Sequence, residues 1–191
     1  MRLNTPFLMV LVIGLAVTGG AASADGGIGY RQVADMLYEQ ALANRTVYTK
    51  EIIQRLTVDH QVLHASEDYM KTNGLPLPAQ MFRASSEELL GATDTFWLSL
   101  RAVDPINLAS GPITPVEEEG LRFVLDNPSE RFYAQEKDLS GRQSYVAVYP
   151  DVATAQACVS CHNGHPSSPR RDFKLGDVMG GIVIRLFIDE E

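Results

Sequence analysis

Thiols and cations are scarce in this chain. Two cysteines in 191 residues cannot build a disulfide framework. A chain of this length buries about two-thirds of its unfolded surface and needs no such staple. Sixteen Lys+Arg stand against twenty-four Asp+Glu, a formal net charge of −8. That balance excludes nucleic acid or an anionic membrane surface as the main partner, and leaves docking on a basic patch of another protein open. There is no G-x-S-x-G, no H-E-x-x-H and no phosphate-cradling glycine loop, so no hydrolytic or group-transfer constellation is in view. Internal repeats and low-complexity tracts are also missing.

Only one long apolar run is present, and it lies at the start. Arg2 precedes an unbroken apolar stretch over residues 7–17, and small residues follow up to Ala22-Ser23-Ala24. A charged start, a short apolar middle and an A-x-A site make up a secretory signal peptide. The stretch is shorter than the ~20 residues that span a bilayer, and no Lys or Arg cluster follows it. Cleavage after Ala24 is expected, which divides the chain into a signal peptide (1–24) and an exported, periplasmic domain (25–191) with no membrane attachment of its own.

Residues 30–73 contain neither Gly nor Pro and are rich in Ala, Leu, Glu and Gln, which predicts one long helix or two in line. Val33, Leu37, Ala41 and Tyr48 step at helical spacing, and Ile52, Ile53, Leu56, His60 and Leu63 continue the stripe. A further short helix is expected over 79–90. Residues 96–102 read as a strand. Thr114-Pro115 followed by Glu117-Glu118-Glu119 opens a helix with a cap, a first-turn proline and first-turn acids. Two strands joined across Ser140-Gly141 suggest a hairpin. Asp151 is expected to cap a short helix over 152–159, and residues 178–188 close the chain as an apolar strand whose paired glycines suggest a bulge or a close approach. This order implies an α+β domain: an antiparallel sheet with the helices gathered on one side and the long amino-terminal helix completing the core.

The chemistry concentrates in Cys158-Val159-Ser160-Cys161-His162, a C-x-x-C-H haem-attachment signature. Two thiols three positions apart on a helical turn reach the two vinyl groups of one porphyrin, and the adjacent imidazole falls beneath the iron. A structural zinc site would need ligand pairs from separated segments. A redox Cys-x-x-Cys would need a strand–helix context absent here and would leave the histidine unexplained. A tight disulfide has no evident role. The expectation is one covalently attached haem c, with Cys158 and Cys161 as thioether positions and His162 as the proximal iron ligand.

Residues 158–185, CVSCHNGHPSSPRRDFKLGDVMGGIVIR, resemble the carboxy-terminal signature of the Tll-like family of exported haem c proteins. RTVYTKEII (45–53), LPLPAQMFR (75–83) and FWLSLRAVDPIN (96–107) are similar to its other blocks, in order. The resemblance implies a PAS-like fold, with a long helical segment (30–73) and a core (94–191) holding one haem c. Related domains serve as extracytoplasmic inputs of signalling proteins. In the family resembled, a cysteine thiolate from the amino-terminal helical region can be the distal iron ligand. Here both cysteines are consumed by the haem, so another residue takes that position or the iron is five-coordinate. His60 and His64, four apart on the expected helix, are the favoured candidates, His64 slightly ahead; Tyr48, Met70, Met81 and Met179 are alternatives. His165 reads as a loop residue. Arg170, Arg171 and Lys174 read as a solvated loop that could otherwise pair with haem propionates.

The axial ligand decides potential and gas access, so it bears directly on function. The leading expectation is electron transfer with a redox partner protein. The alternative is a haem-based redox or gas sensor acting on a signalling partner. No kinase or receptor segment accompanies the domain in this sequence, which favours the first, while the PAS-like resemblance favours the second. An enzymatic role would need an open distal side.

Overall fold

The computed structural model describes residues 28–137 and 141–188. The signal peptide expected over 1–24 lies outside them, as do residues 138–140 of the expected hairpin turn. Helix α1 (Tyr30–Val47) runs without a break into a π-helix (Tyr48–Asp59). The short α2 (Tyr69–Thr72), then α3 (Pro78–Ala92), β1 (Phe96–Arg101) and α4 (Pro115–Asp126) follow. The chain continues through β2 (Phe132–Lys137), β3 (Gln143–Val152), α5 (Gln156–Gly164) and β4 (Val178–Ile188). All pairings are antiparallel, in the order β1-β4-β3-β2. The α+β class and the long amino-terminal helix on an antiparallel sheet are as expected. No helix among the described residues is long and apolar enough to cross a membrane.

The helices do not gather on one side. Residues of β3 and β4 are apolar on both faces, and a strand of that kind needs cover on both. On one face Ala147, Tyr149, Ile182, Ile184 and Leu186 pack with Ala34 and Tyr38 of α1 and Phe82 of α3. On the other, Val146, Val148 and Val183 meet Leu121 and Val124 of α4. Fully burying a Val, Leu or Ile side chain such as these contributes about 1.5–3 kcal/mol relative to exposure. The paired glycines of β4 serve the close approach anticipated for them. A Cβ on Gly180 would lie 2.5 Å from the Arg101 carbonyl, and one on Gly181 would lie 2.8 Å from Leu121 Cδ2. A bulge accompanies them, since the register of β3 on β4 shifts between Asp151 and Val152.

The α4 cap forms as read, with Thr114 Oγ1 accepting from the Glu117 amide at 3.2 Å. Glu117 is more than a charged first turn. It is fully buried and pairs at 2.8 Å with Arg185 of β4, which also binds Glu136 of β2 and the Ser144 hydroxyl.

The helical run expected over 30–73, as one helix or two in line, is interrupted. Thr49, Ile52, Ile53, Thr57 and Val58 are β-branched and crowd an α-helical turn; the wider i→i+5 turn spaces them. The π-helix stops at Asp59, and Gln61 adopts φ +53°. Beyond it, Ala65 pairs with Leu75 as an isolated bridge, which closes a loop around α2.

Helix α1 is fastened to the sheet by polar contacts as well as by packing. Asp35 Oδ1 accepts from the hydroxyls of Tyr133 at 2.8 Å and Tyr149 at 2.9 Å, and Arg131 lies 3.0 Å away. Burial alone would raise the Asp35 carboxyl, but these three donors outweigh it and hold it below its ordinary 3.8. A carboxyl held lower in the folded state contributes stability above its ordinary pKa that is lost as pH falls through the folded value. The stability advantage of the wild type over Asp35→Asn in urea denaturation should be full at neutral pH and shrink as pH is taken below 3.8. An advantage that grows on acidification contradicts this account.

Candidate functional site

Cys158, Cys161 and His162 all lie on α5, whose amino-terminal residue follows the extended Ala155. Asp151 does not cap this helix. It belongs to β3, and the helix starts later than expected because β3 pairs with β4 as far as Val152. Spacing of three places the two thiols on one helix face. Both are free, with Cys158 half-buried and Cys161 exposed. Burial pushes the Cys161 thiol up, and the charges of Glu67 and Cys158 add to it, so the sulfur is not a poised thiolate. Among the described residues no group of three or more His, Cys, Asp and Glu is gathered in a way that could hold a metal ion.

His162 is half-buried, edge-on to Phe173 with ring centroids 5.7 Å apart. Burial lowers its pKa; the Arg45 and His165 charges push the same way, against Asp151. The imidazole is therefore neutral at pH 7, the state an iron ligand requires.

Three attachments hold α5 in place. Asn163 exchanges two hydrogen bonds with the Phe173 backbone, at 2.9 and 3.0 Å, fixing the following loop. Gln54 of the π-helix accepts from the Ala157 amide at 3.0 Å. The third is indirect: Arg45, in the last turn of α1, forms a bidentate pair with Asp151 at 2.9 and 2.7 Å. The two side chains are 14% and 11% exposed, so this is a buried pair. Beside Arg45 a cavity of about 610 Å³ opens between α1, α3 and β1, lined mainly by apolar side chains such as Leu37, Met81 and Phe82. Its lining includes none of Cys158, Cys161 and His162.

The structure separates the expected distal candidates. His60 and His64 do not share a helix face, because the helix ends before His60. His60 follows the last π-turn, and His64 lies in the succeeding loop with its imidazole against Gly74; both are exposed. That loop passes close to α5, since Glu67 meets His165 at 3.7 Å. Tyr48 donates its hydroxyl to the Pro76 carbonyl at 2.8 Å. Met70 is largely exposed on α2, Met81 accepts from Ser85 at 3.6 Å, and Met179 sits at the β3–β4 irregularity. Arg170 is engaged by Asp172 and Asp177, and Arg171 by the Pro166 carbonyl. These are contacts within the loop itself.

Thr49 is 1% exposed, and its hydroxyl is the one buried side-chain oxygen without a hydrogen-bond partner among the described residues. In a π-helix, residues four and five apart share a side, which puts Thr49 on the face that Gln54 uses to reach α5. A buried unpaired hydroxyl costs about 1–3 kcal/mol. Thr49, Gln54, Arg45 and Asp151 carry no local sequence signal for a site.

A family model described as Tll0287-like matches residues 29–186, nearly the whole described chain. The chain belongs to the Tll0287-like family. Its fold is similar to that of a solved relative, the crystal structure of the cyanobacterial heme-protein Tll0287, with a TM-score of 0.54 at 14% sequence identity. The likeness covers 86% of this chain and 99% of that one. No curated protein sequence matches.

Removing Asp151 should expose how much rests on its pair. Asp151→Ala leaves the buried Arg45 guanidinium uncompensated and is expected to cost about 3–5 kcal/mol. The apolar double variant Arg45→Met with Asp151→Leu should recover most of it. Urea midpoints at unchanged m-value provide the measurement. A single variant as stable as the wild type contradicts this reading of the pair.

Proposed function

We propose that this protein is an exported, periplasmic c-type haem protein that transfers electrons through one covalently attached haem. The observation that carries the proposal is the face of α5: two thiols three positions apart beside a half-buried imidazole whose pKa burial lowers. That donor set fits a porphyrin, which needs two thiols to bond and one neutral nitrogen for iron. Family membership and a relative described as a heme-protein agree with it. When bound, the group supplies reversible one-electron chemistry at iron.

In this reading Cys158 and Cys161 fix the porphyrin, and His162 holds the iron from the α5 side. Gln54, Asn163 and the Arg45–Asp151 pair keep α5 from shifting between redox states. A site held this firmly suits electron exchange with little rearrangement. The distal position falls to the loop after the π-helix, with His64 ahead of His60, since that loop reaches α5 through Glu67 and His165. The acidic chain suits a redox partner that presents a basic patch. The π-helix supports a second reading, a haem-based redox or gas sensor acting on a signalling partner. Such helices recur at functional sites, and here Gln54 links one directly to the haem-bearing helix.

The purified protein should keep its porphyrin through extraction with acidified organic solvent, and Cys158→Ala should weaken that retention. Loss of the porphyrin from the wild type would falsify covalent attachment. Optical and EPR spectra of His64→Ala and His60→Ala test the distal side, with a change from low spin expected in His64→Ala. Unchanged low-spin spectra in both variants sink the assignment to this loop. Binding of carbon monoxide to the reduced wild type without ligand displacement would favour the sensor.

A further inference from the structure

Five of the chain's seven tyrosines form one connected series from the surface into the core. Tyr30, 44% exposed, stacks on Tyr145 with centroids 6.0 Å apart. Tyr145 meets Tyr133 at 6.1 Å, and Tyr133 meets Tyr149 edge-on at 6.1 Å. Tyr149, fully buried, lies flat against Tyr38 at 4.1 Å with only 7° between their planes. The inner end adjoins the α5 region. Asp151 lies two residues beyond Tyr149, hence on the same face of β3. It binds Arg45, and the charges of both bear on His162.

Packing alone would be served by phenylalanine at these positions. The hydroxyls of Tyr133 and Tyr149 fasten α1 through Asp35, and the same bonds, with the charges around the rings, suit a second use. Arg131 lies 5.3 and 5.4 Å from the ring centroids of Tyr38 and Tyr149, and Arg31 lies 4.5 Å from that of Tyr133. Cations over these rings disfavour a cationic phenol, so losing an electron here requires losing the phenolic proton as well. The acceptor is in place: one oxygen of Asp35 takes hydrogen bonds from both Tyr133 and Tyr149.

We propose that Tyr149, Tyr133, Tyr145 and Tyr30 conduct oxidising equivalents from the α5 haem site to the surface, with Asp35 as the proton acceptor of Tyr149 and Tyr133. The proposal rests on the haem reading for the place where the oxidant, a peroxide, is reduced, and it requires the peroxide to displace the His64 loop from the distal side. Each electron lost from Tyr149 is matched by its hydroxyl proton passing to Asp35, which leaves a neutral phenoxyl. When Tyr133 returns an electron to that phenoxyl, Tyr149 regains a proton from Asp35, and Asp35 takes the one Tyr133 gives up. When Tyr145 returns an electron to Tyr133, Asp35 gives Tyr133 back its proton. Half-buried Tyr145 and exposed Tyr30 release and regain theirs through water, and a small one-electron reductant in solution, with a proton from water, restores the Tyr30 phenol. One peroxide takes up two electrons and two protons, becoming two waters, and so draws on the series twice. The consequence is a protein that survives peroxide by moving damage away from its cofactor.

The test uses the full haem-loaded protein with hydrogen peroxide, read by freeze-quench EPR and by peptide mass spectrometry of oxidised tyrosines. A tyrosyl signal and oxidation at Tyr30 and Tyr145 are expected. Both modifications should be lost in Tyr149→Phe and in Asp35→Asn, and should be unchanged in Tyr69→Phe, which lies off the series. A parallel arm replaces peroxide with photo-oxidised ruthenium trisbipyridine, which needs no haem. There a tyrosyl signal that Asp35→Asn alters is expected. If the peroxide arm is silent because no haem is attached while this arm responds, the haem reading fails and the conduit stands. Tyr30 and Tyr145 products that persist in Tyr149→Phe, or a photo-oxidised signal indifferent to Asp35→Asn, overturn the proposal.

Discussion

A guanidinium and a carboxylate 106 positions apart in sequence meet largely shielded from water, and the rest of the molecule is arranged around that contact. Arg45 closes the α-helical part of the amino-terminal helix, and Asp151 stands at the end of β3, just before the chain turns into α5. Neither charge is tolerable alone at this depth. Their pairing therefore fixes where the long helix ends on the sheet and where α5 begins. The π-helix starts at the first residue clear of that region, and its Gln54 then reaches α5 from the other side.

Both sides of the site thus come from distant stretches of chain, and this explains what the sequence revealed and what it hid. Locally encoded features were legible. The Thr114-Pro115 start of α4, the two strands around Gly141, the apolar closing strand with its glycine pair, and the Cys-x-x-Cys-His turn all depend on neighbours within a few residues. The π-helix was not legible, because its residues favour no single local pattern over a distorted α-helix. The face shared by His60 and His64 vanished with it. Glu117 read as a solvated acid, since nothing nearby announces that Arg185 will be brought against it from β4. Helices on both faces could have been anticipated from β3, where Val146 and Val148 alternate with Ala147 and Tyr149.

The site combines three physical conditions. In the haem reading, a Cys161 thiol whose pKa is raised by burial and neighbouring charge stays available for bonding to carbon. An imidazole kept neutral remains available to iron. The surrounding hydrogen bonds engage the helix that carries these groups and leave the groups themselves free. On the opposite side, Thr49 is a buried hydroxyl without a partner, on the face of the π-helix that reaches α5.

The buried cluster of Arg185, Glu117 and Glu136 also bears on how the sheet ends. Strand β2 is an edge, with one row of backbone donors and acceptors unclaimed by any neighbour in the sheet. Edges of this kind invite a second chain to add a strand, and an inward-pointing charge is one device that discourages it. Glu136 is such a charge, turned from β2 towards the interior to reach Arg185. An added strand would have to be accommodated beside a carboxylate already committed to the core. The acid that neutralises a buried arginine is also an edge charge of the kind that disfavours an added strand.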